Sequence, residues 1–193
     1  MPSPTTQEVL AATRHWLETA VLGLDLCPFA RAVYSLDLIR FAVSKAETPE
    51  ALLADLVREL KALESTEPSE VETTLLLHPR VLGDFLDYND FLPMAEAAVA
   101  ELGLTGVLQV ASFHPRYQFA GAGPDDIENY TNRSPFPMLH LLREASVERA
   151  VAAFPDAAQI YEKNIATLRR LGHAGWSRLG LGPIGSSTGG EHH

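Results

Sequence analysis

The chain has 193 residues, 46% hydrophobic and 21% charged, which is typical of one globular domain with a buried core. Its formal net charge of -10 predicts repulsion from phosphate backbones and anionic lipids, so nucleic acid and membranes are not expected partners. The sequence has no apolar run long enough to span a bilayer, and it lacks the pattern of a signal peptide. Cys27 is the only cysteine, which excludes an intramolecular disulfide and favours a reducing, cytoplasmic location.

The first half of the chain predicts two helices and two strands. A helix is expected over residues 6–22, because apolar residues recur there at helical spacing and Gly23 follows. The stretch LDLIRFAVS predicts a strand. Thr48 and Pro49 have the cap-then-proline order of a helix start, and leucines at helical spacing follow them. The stretch VETTLLLH predicts the second strand.

The second half predicts three further helices and one strand. The third helix is expected to start near Asp90, which places Pro93 in its first turn. The stretch TGVLQVASFH predicts the third strand. Ser134 and Pro135 predict the start of a fourth helix that runs through FPMLHLLREA, restarts at Ser146 and ends by Phe154. Asp156 is expected to cap a fifth helix, and a glycine-rich segment follows that helix.

The order of these elements predicts the fold class. Strands that alternate with helices are typical of βαβ units. We therefore expect an α/β fold with a small, mainly parallel sheet of about three strands and about five helices, in a single domain over residues 1–172. Residues 173–193 are expected to form a flexible tail that ends in a tag remnant, GGEHH. Residues 115–134 show neither the helical nor the strand periodicity of apolar residues, which predicts a functional or Ω-type loop.

Two apolar runs end in the same tripeptide, in LLLHPR and in ASFHPR. Ligands bind beyond the carboxyl ends of parallel strands, which is where His78 and His114 are expected. If the two strands are neighbours, about 4.8 Å apart, both imidazoles meet one ligand. Arg80 and Arg116 would then offer planar forks for a carboxylate or phosphate. The alternative is structural, because proline ends strand pairing and a histidine is readily satisfied in such a turn.

The densest polar stretch, NYTNRSPFPMLHLLRE, leads into the predicted fourth helix. A helix N-terminus favours an anion, because free N–H groups and the helix dipole both face it. The alternative is a capped loop whose Asn and Ser side chains satisfy the backbone of turns. The candidate ligand-binding residues of this stretch are Tyr130, Asn132, Arg133, Ser134 and His140.

Cys27 is the third candidate catalytic residue, beside His78 and His114. A reactive cysteine needs exposure and a cationic or helix N-terminal setting. Cys27 lies near the predicted carboxyl end of the first helix, which disfavours a thiolate, whereas a partner histidine would favour one. The alternative is that the side chain is a small buried apolar group.

A metal site is an alternative, because His78, His114 and His140 would suit a zinc-type triad. No two of them have the i, i+4 spacing of a helical metal pair, so no metal ligand is assigned. The sequence has no phosphate-loop pattern, no GxGxxG and no GxSxG. The familiar nucleotide kinases, dinucleotide enzymes and esterases are therefore excluded. The cofactor and the oligomeric state are left open.

Five stretches together carry a family resemblance: WLETAVLGLDLCPFA, IRFAVSKA, ASFHPRYQFAG, NYTNRSPFPMLHLLREAS and NIATLRRLG. They resemble the bacterial family known as domain of unknown function 1415, over about residues 7–172. The resemblance implies a bacterial, cytoplasmic, single-domain protein. It implies no functional residue, because the family has no established activity. This sequence has Asp25 in GLDLCPFA, where Asn is usual in the family.

Two functions of different classes follow from these residues. The first is an enzyme that acts on a small anionic metabolite, with His78 or His114 as general acid and base, because imidazole titrates near neutral pH. The two arginines of the tripeptides and Arg133 would hold the anion, and the loop at 115–134 would close over it. The second is a non-catalytic small-ligand-binding or protein-interaction module, which predicts a pocket without perturbed titrating groups or a broad apolar patch.

Overall fold

The structure, a computed structural model, describes residues 3–153 and 157–181. Helix α1 (Thr6–Trp16) begins at a capping box, in which the Thr5 hydroxyl accepts from the Glu8 N–H and the Glu8 carboxylate accepts from the Thr5 N–H. The helix widens into a π-helical segment, Leu17–Leu22. Helical structure therefore covers the predicted span of residues 6–22.

A short helix and an edge strand follow. Helix α2 (Ala30–Ser35) was not expected from the sequence, and strand β1 (Ile39–Val43) lies within the predicted strand. Helix α3 (Pro49–Ser65) begins as predicted, because the Thr48 hydroxyl accepts from the Ala51 N–H at 3.2 Å.

The next unit contains strand β2 (Thr73–Leu77), helix α4 (Phe85–Glu101) and strand β3 (Leu108–Phe113). Both strands lie where the sequence predicts them. Helix α4 begins earlier than Asp90, because the Asp84 carboxylate accepts from the Leu86 N–H at 2.9 Å and caps it. Pro93 consequently lies inside the helix and not in its first turn.

The first part of the segment predicted as the fourth helix is a strand, whereas the predicted restart at Ser146 lies within a helix, Glu144–Ala153. Strand β4 (Met138–Arg143) lies between β2 and β3 and is antiparallel to both. Met138, Leu139 and Leu141 have no exposed surface. A strand buried on both faces has a continuous apolar run, and periodicity alone does not separate such a run from a buried helix. This is why FPMLHLLREA was assigned wrongly.

The sheet has four strands in the order β1-β2-β4-β3, with one parallel pair, β1 and β2. The α/β class is confirmed. The expectation of a mainly parallel sheet of about three strands was wrong, because a fourth strand, β4, lies between β2 and β3 and is antiparallel to both. An antiparallel strand buried on both faces conceals this arrangement in the sequence.

Two apolar clusters cover the two faces of the sheet. Alternate residues of β2 divide between them, so Leu76 faces α3 and α4, whereas Leu75 and Leu77 face α1. The α4 face includes Leu52, Leu56, Leu60, Leu76, Tyr88, Phe91, Leu139 and Leu141. The α1 face includes Val9, Trp16, Leu75, Leu77, Phe136, Met138 and Leu181.

Two helices complete the described chain. Helix α5 (Glu144–Ala153) follows directly on β4, and helix α6 (Ala157–Arg178) is interrupted at Gly172, which has φ 65°. The predicted cap Asp156 lies outside the described residues, as do residues 182–193. Helical structure continues past residue 172, where the sequence places the start of the tail. Among the described residues, no helix has both the length and the apolar character needed to cross a membrane.

Candidate functional site

The two His-Pro-Arg turns lie at the same end of the sheet, with the start of β4 between them. The His78 N–H donates to the Pro137 carbonyl at 3.0 Å, and the His114 N–H donates to the Asn132 carbonyl at 3.2 Å. Each turn is therefore joined to the segment that leads into β4. Because β4 lies between β2 and β3, the two histidine rings do not contact each other across adjacent strands, and another side chain lies between them.

The residue between them is Tyr88 of α4. The His78 ring stacks on the Tyr88 ring with centroids 5.7 Å apart, and the His114 ring lies 5.1 Å from the same ring. Both histidines have 0% exposed surface. The structure thus brings the two predicted catalytic histidines together on one face, inside the core between the sheet and α4.

The turns themselves satisfy most of the imidazole nitrogens. His78 Nδ1 lies 3.1 Å from the Val81 carbonyl oxygen, and His114 Nε2 lies 3.2 Å from the Leu82 carbonyl oxygen. Both of these nitrogens must carry the proton, because a carbonyl only accepts. His114 Nδ1 accepts from the Arg116 N–H at 3.0 Å. His78 Nε2 is buried and, among the described residues, has no hydrogen-bond partner.

Burial sets the charge of these rings. Burial lowers the pKa of His78 from 6.5 to about 4, and it lowers the pKa of His114 to about 4 as well. Both imidazoles are consequently neutral at neutral pH. A neutral ring is a proton acceptor, but so low a pKa makes it a weak base.

His140 lies on the other face of the sheet. It pairs in register with Leu75, which belongs to the α1 face. Its Nε2 lies 2.8 Å from the Thr73 hydroxyl, and burial lowers its pKa to about 4. The three histidines of the suggested zinc triad therefore do not converge. Within residues 3–153 and 157–181, no group of three or more His, Cys, Asp or Glu side chains is placed to hold a metal ion.

The two arginines of the tripeptides are engaged by nearby acids. Arg80 lies 3.4 Å from Glu47. Arg116 lies 3.1 Å from Asp84 and donates to the Gly83 carbonyl at 3.1 Å. These contacts hold the turn at residues 78–84 against its neighbours, and the guanidinium groups point to separate partners.

Arg133 organises the loop that follows the second turn. Its guanidinium donates to the Tyr117 and Pro124 carbonyls, at 3.3 Å and 2.6 Å. It also lies 4.1 Å from the centroid of the Tyr130 ring. The guanidinium group that was expected to bind an anion therefore donates to carbonyl oxygens of the loop.

The predicted anion site at a helix N-terminus is not formed. A 3₁₀ helix, Ile127–Asn132, ends just before Ser134, and Ser134 and Pro135 lead into strand β4, so no helix begins at this point. The Ser134 hydroxyl donates to the Phe136 carbonyl at 2.7 Å, and the Asn132 amide donates to the Ser112 carbonyl at 3.0 Å. These side chains form hydrogen bonds with backbone carbonyls, as the structural alternative for this stretch predicts.

Asn129 is a structural residue of the same polar stretch that was not among the candidate site residues. Its side chain is buried, accepts from the Phe119 N–H at 3.0 Å and donates to the Gly123 carbonyl at 2.7 Å. The loop at 115–134 is therefore ordered by its own side chains, as an Ω-type loop is. The only sequence signal was an Asn within a long aperiodic stretch.

Cys27 follows a segment, Asp25 and Leu26, that forms polar contacts with α6. Lys163 lies 2.5 Å from the Asp25 carboxylate, and the Asn164 amide donates to the Leu26 carbonyl at 2.7 Å. Asp25 has φ 55°, a left-handed conformation that Asn and Asp tolerate. Cys27 is partly buried, and no hydrogen bond joins its thiol to a histidine of the described chain.

A cleft lies between this loop and α6, away from the strand ends. Its volume is about 550 Å³. Arg169 of α6 donates from Nε to Glu128 Oε1 at 2.8 Å, and its Nη2 contacts the same oxygen. The side chains that give the cleft its chemistry are Phe119, Asp126 and Glu128 from the loop and Tyr161, Ile165 and Arg169 from α6.

Sequence reasoning did not find the cleft. Glu128 and Arg169 are 41 residues apart in the chain, so only the fold reveals that they pair. The length of the loop was the one signal that pointed to this region.

The comparison with protein families agrees with the resemblance. The family described as Protein of unknown function (DUF1415) matches residues 8–178. The chain belongs to this family. No curated protein and no solved structure matches this DUF1415 chain.

The buried histidines predict a loss of stability in mild acid. Their pKa values in the folded protein lie at about 4, below the unfolded value of about 6.5. As the pH falls below about 6.5 the unfolded state binds protons first, so stability is full above that pH and declines down to about 4. By pH 5 we expect a loss of about 2 kcal/mol per buried histidine.

Urea unfolding at pH 7.5 and pH 5.0 measures this loss. The His173→Gln variant is the control, because His173 is exposed and its replacement should leave the pH dependence unchanged. Equal unfolding free energies at the two pH values would contradict the lowered pKa values of His78, His114 and His140.

Proposed function

We propose that this protein is a non-catalytic module that binds a small molecule in the cleft between the 115–134 loop and α6. The observation that supports this is the cleft itself, whose volume of about 550 Å³ falls within the range of roughly 300–1,000 Å³ for ligand sites. Charged groups from both walls and the aromatic ring of Tyr161 line the cleft. The cleft is open to solvent and its lining is more polar than apolar, so a ligand would be held mainly by polar contacts, with Tyr161 and Ile165 as the apolar part.

The strand ends support a binding site less well. His78 and His114 have no exposed surface, and Arg80 and Arg116 are each paired with a neighbouring acid. A ligand at this end of the sheet would have to displace those contacts. The net charge of -10 also keeps nucleic acid and anionic membranes outside the proposal, and the single cysteine keeps the proposed location cytoplasmic.

Filling the cleft should abolish binding. Ala120 is exposed and lines the cleft, so in the Ala120→Trp variant an indole would occupy the volume. We expect that small amines, carboxylates and neutral heterocycles that give saturation-transfer NMR signals with the wild type lose those signals with Ala120→Trp. The matched control is Ala97→Trp, at an exposed position of α4 outside the cleft, which should retain them.

Two results would refute this assignment. One is that no compound of the set binds the wild type. The other is that compounds bind Ala120→Trp and the wild type equally well. Unfolding midpoints of both variants show whether the indole has disturbed the fold.

A second candidate function, acid/base catalysis on a small anionic metabolite, is favoured by one observation. His78 Nε2 carries a lone pair that is buried and has no donor among the described residues. An unmet buried acceptor costs about 1–3 kcal/mol, and such costs concentrate at functional sites. Catalysis would require α4 to move away from the turn at residues 78–84, so that a substrate reaches this nitrogen.

Chemical modification separates the two candidates. Diethyl pyrocarbonate acylates accessible neutral imidazoles, and the sites are read by mass spectrometry. We expect His173 to react quickly and His78 to remain protected in the native protein, because His173 is exposed and His78 is not. Reaction of His78 at a rate similar to that of His173 would favour the catalytic candidate.

A further inference from the structure

The charges around the cleft are unequal. Two carboxylates, from Asp126 and Glu128, face one guanidinium, from Arg169. The net charge of the whole chain, which includes these groups, is -10. The field at the cleft therefore attracts cations and opposes anions, and because both carboxylates reach solvent, salt screens it.

The hydrogen bonds of these groups leave acceptors for a ligand. Arg169 directs both of its donating nitrogens to Oε1 of Glu128, so Oε2 lies outside this fork. The Gly123 N–H donates to Oδ2 of Asp126 at 2.7 Å, and Oδ1 takes no hydrogen bond from the described residues. Oδ1 of Asp126 remains to receive an N–H donor, and the Glu128 carboxylate, which its own backbone N–H also contacts, retains part of its acceptor capacity. The one cation of these walls is already paired.

Aromatic and apolar surface accompanies these oxygens. The Phe119 ring is supported by an edge contact with Tyr117 at 5.0 Å. Tyr161 is 53% exposed, and Ile165 lies one turn further along α6 on the same wall. A ring face beside a carboxylate attracts an ammonium group through both its quadrupole and the neighbouring negative charge.

These observations point to one class of ligand. We infer that the cleft binds a small organic cation, a protonated amine that carries an aromatic or apolar group. The ammonium group donates to Asp126 and Glu128, and the apolar part lies against Phe119 and Tyr161. This inference rests on the proposed function of the cleft and specifies what it binds. The backbone N–H of Gly123 holds the Asp126 carboxylate in place for that contact.

Three probes of similar shape and different charge test the inference. Phenethylamine is the cation, phenethyl alcohol is the neutral probe and phenylacetate is the anion. Calorimetric titration of the full chain at pH 7 and low salt should give the tightest binding for phenethylamine, by about tenfold over the other two. Added salt should reduce that preference, because the carboxylates are partly exposed.

Variants assign the effect to the carboxylates. Asp126→Asn should weaken phenethylamine binding by about three- to tenfold and leave phenethyl alcohol unchanged. Asp125→Asn is the matched control, because it removes the same charge from the adjacent residue, which does not line the cleft. Arg169→Gln should strengthen phenethylamine binding, since it frees Glu128.

The outcomes distinguish a failure of the inference from a failure of the proposed function. Phenylacetate binding that is tighter than phenethylamine binding and is lost in Arg169→Gln would overturn the cation assignment and leave the cleft as a ligand site. Equal effects of Asp126→Asn and Asp125→Asn would also overturn it. Absence of binding by all three probes, together with a fragment set that Ala120→Trp leaves unaffected, would overturn both.

Discussion

The buried hydroxyl of Tyr88 is the contact on which the carboxyl end of the sheet depends. It donates to the Met138 carbonyl at 2.8 Å and accepts from the Phe113 N–H at 3.1 Å, at the last residue pair between β3 and β4. Burial raises the pKa of Tyr88, so the hydroxyl keeps its proton and remains a donor. Because the ring also separates His78 from His114, one side chain of α4 fixes both His-Pro-Arg turns.

This arrangement explains why the same tripeptide occurs twice. In each turn the proline ends the strand, and the histidine fills the space beside Tyr88 while it bonds to a carbonyl of the turn at residues 78–84. Leu82, which supplies the carbonyl for His114, has φ 57°, a conformation that costs energy in a leucine. The repeat therefore describes two turns that close one core, in which both imidazoles are buried.

Local signals in the sequence were sufficient for α1, α3 and the strands β1, β2 and β3, because caps and apolar periods are encoded within each segment. They failed for β4, whose two buried faces erase the alternation that identifies a strand. The prediction of an anion site rested on the same error, since it required a helix to start at Ser134, where strand β4 follows instead. The cleft was beyond local reasoning, because Glu128 and Arg169 meet only after α6 packs on the loop.

The most direct test of this account is the unfolding free energy of Tyr88→Phe. The variant keeps the ring and removes only the hydroxyl, so the Phe113 N–H and the Met138 carbonyl lose their partner inside the core. We expect a loss of about 2–4 kcal/mol, with faster amide exchange at Phe113, whereas Tyr161→Phe at an exposed position should have little effect. An unfolding free energy equal to that of the wild type would contradict the claim that Tyr88 closes the strand ends into a core.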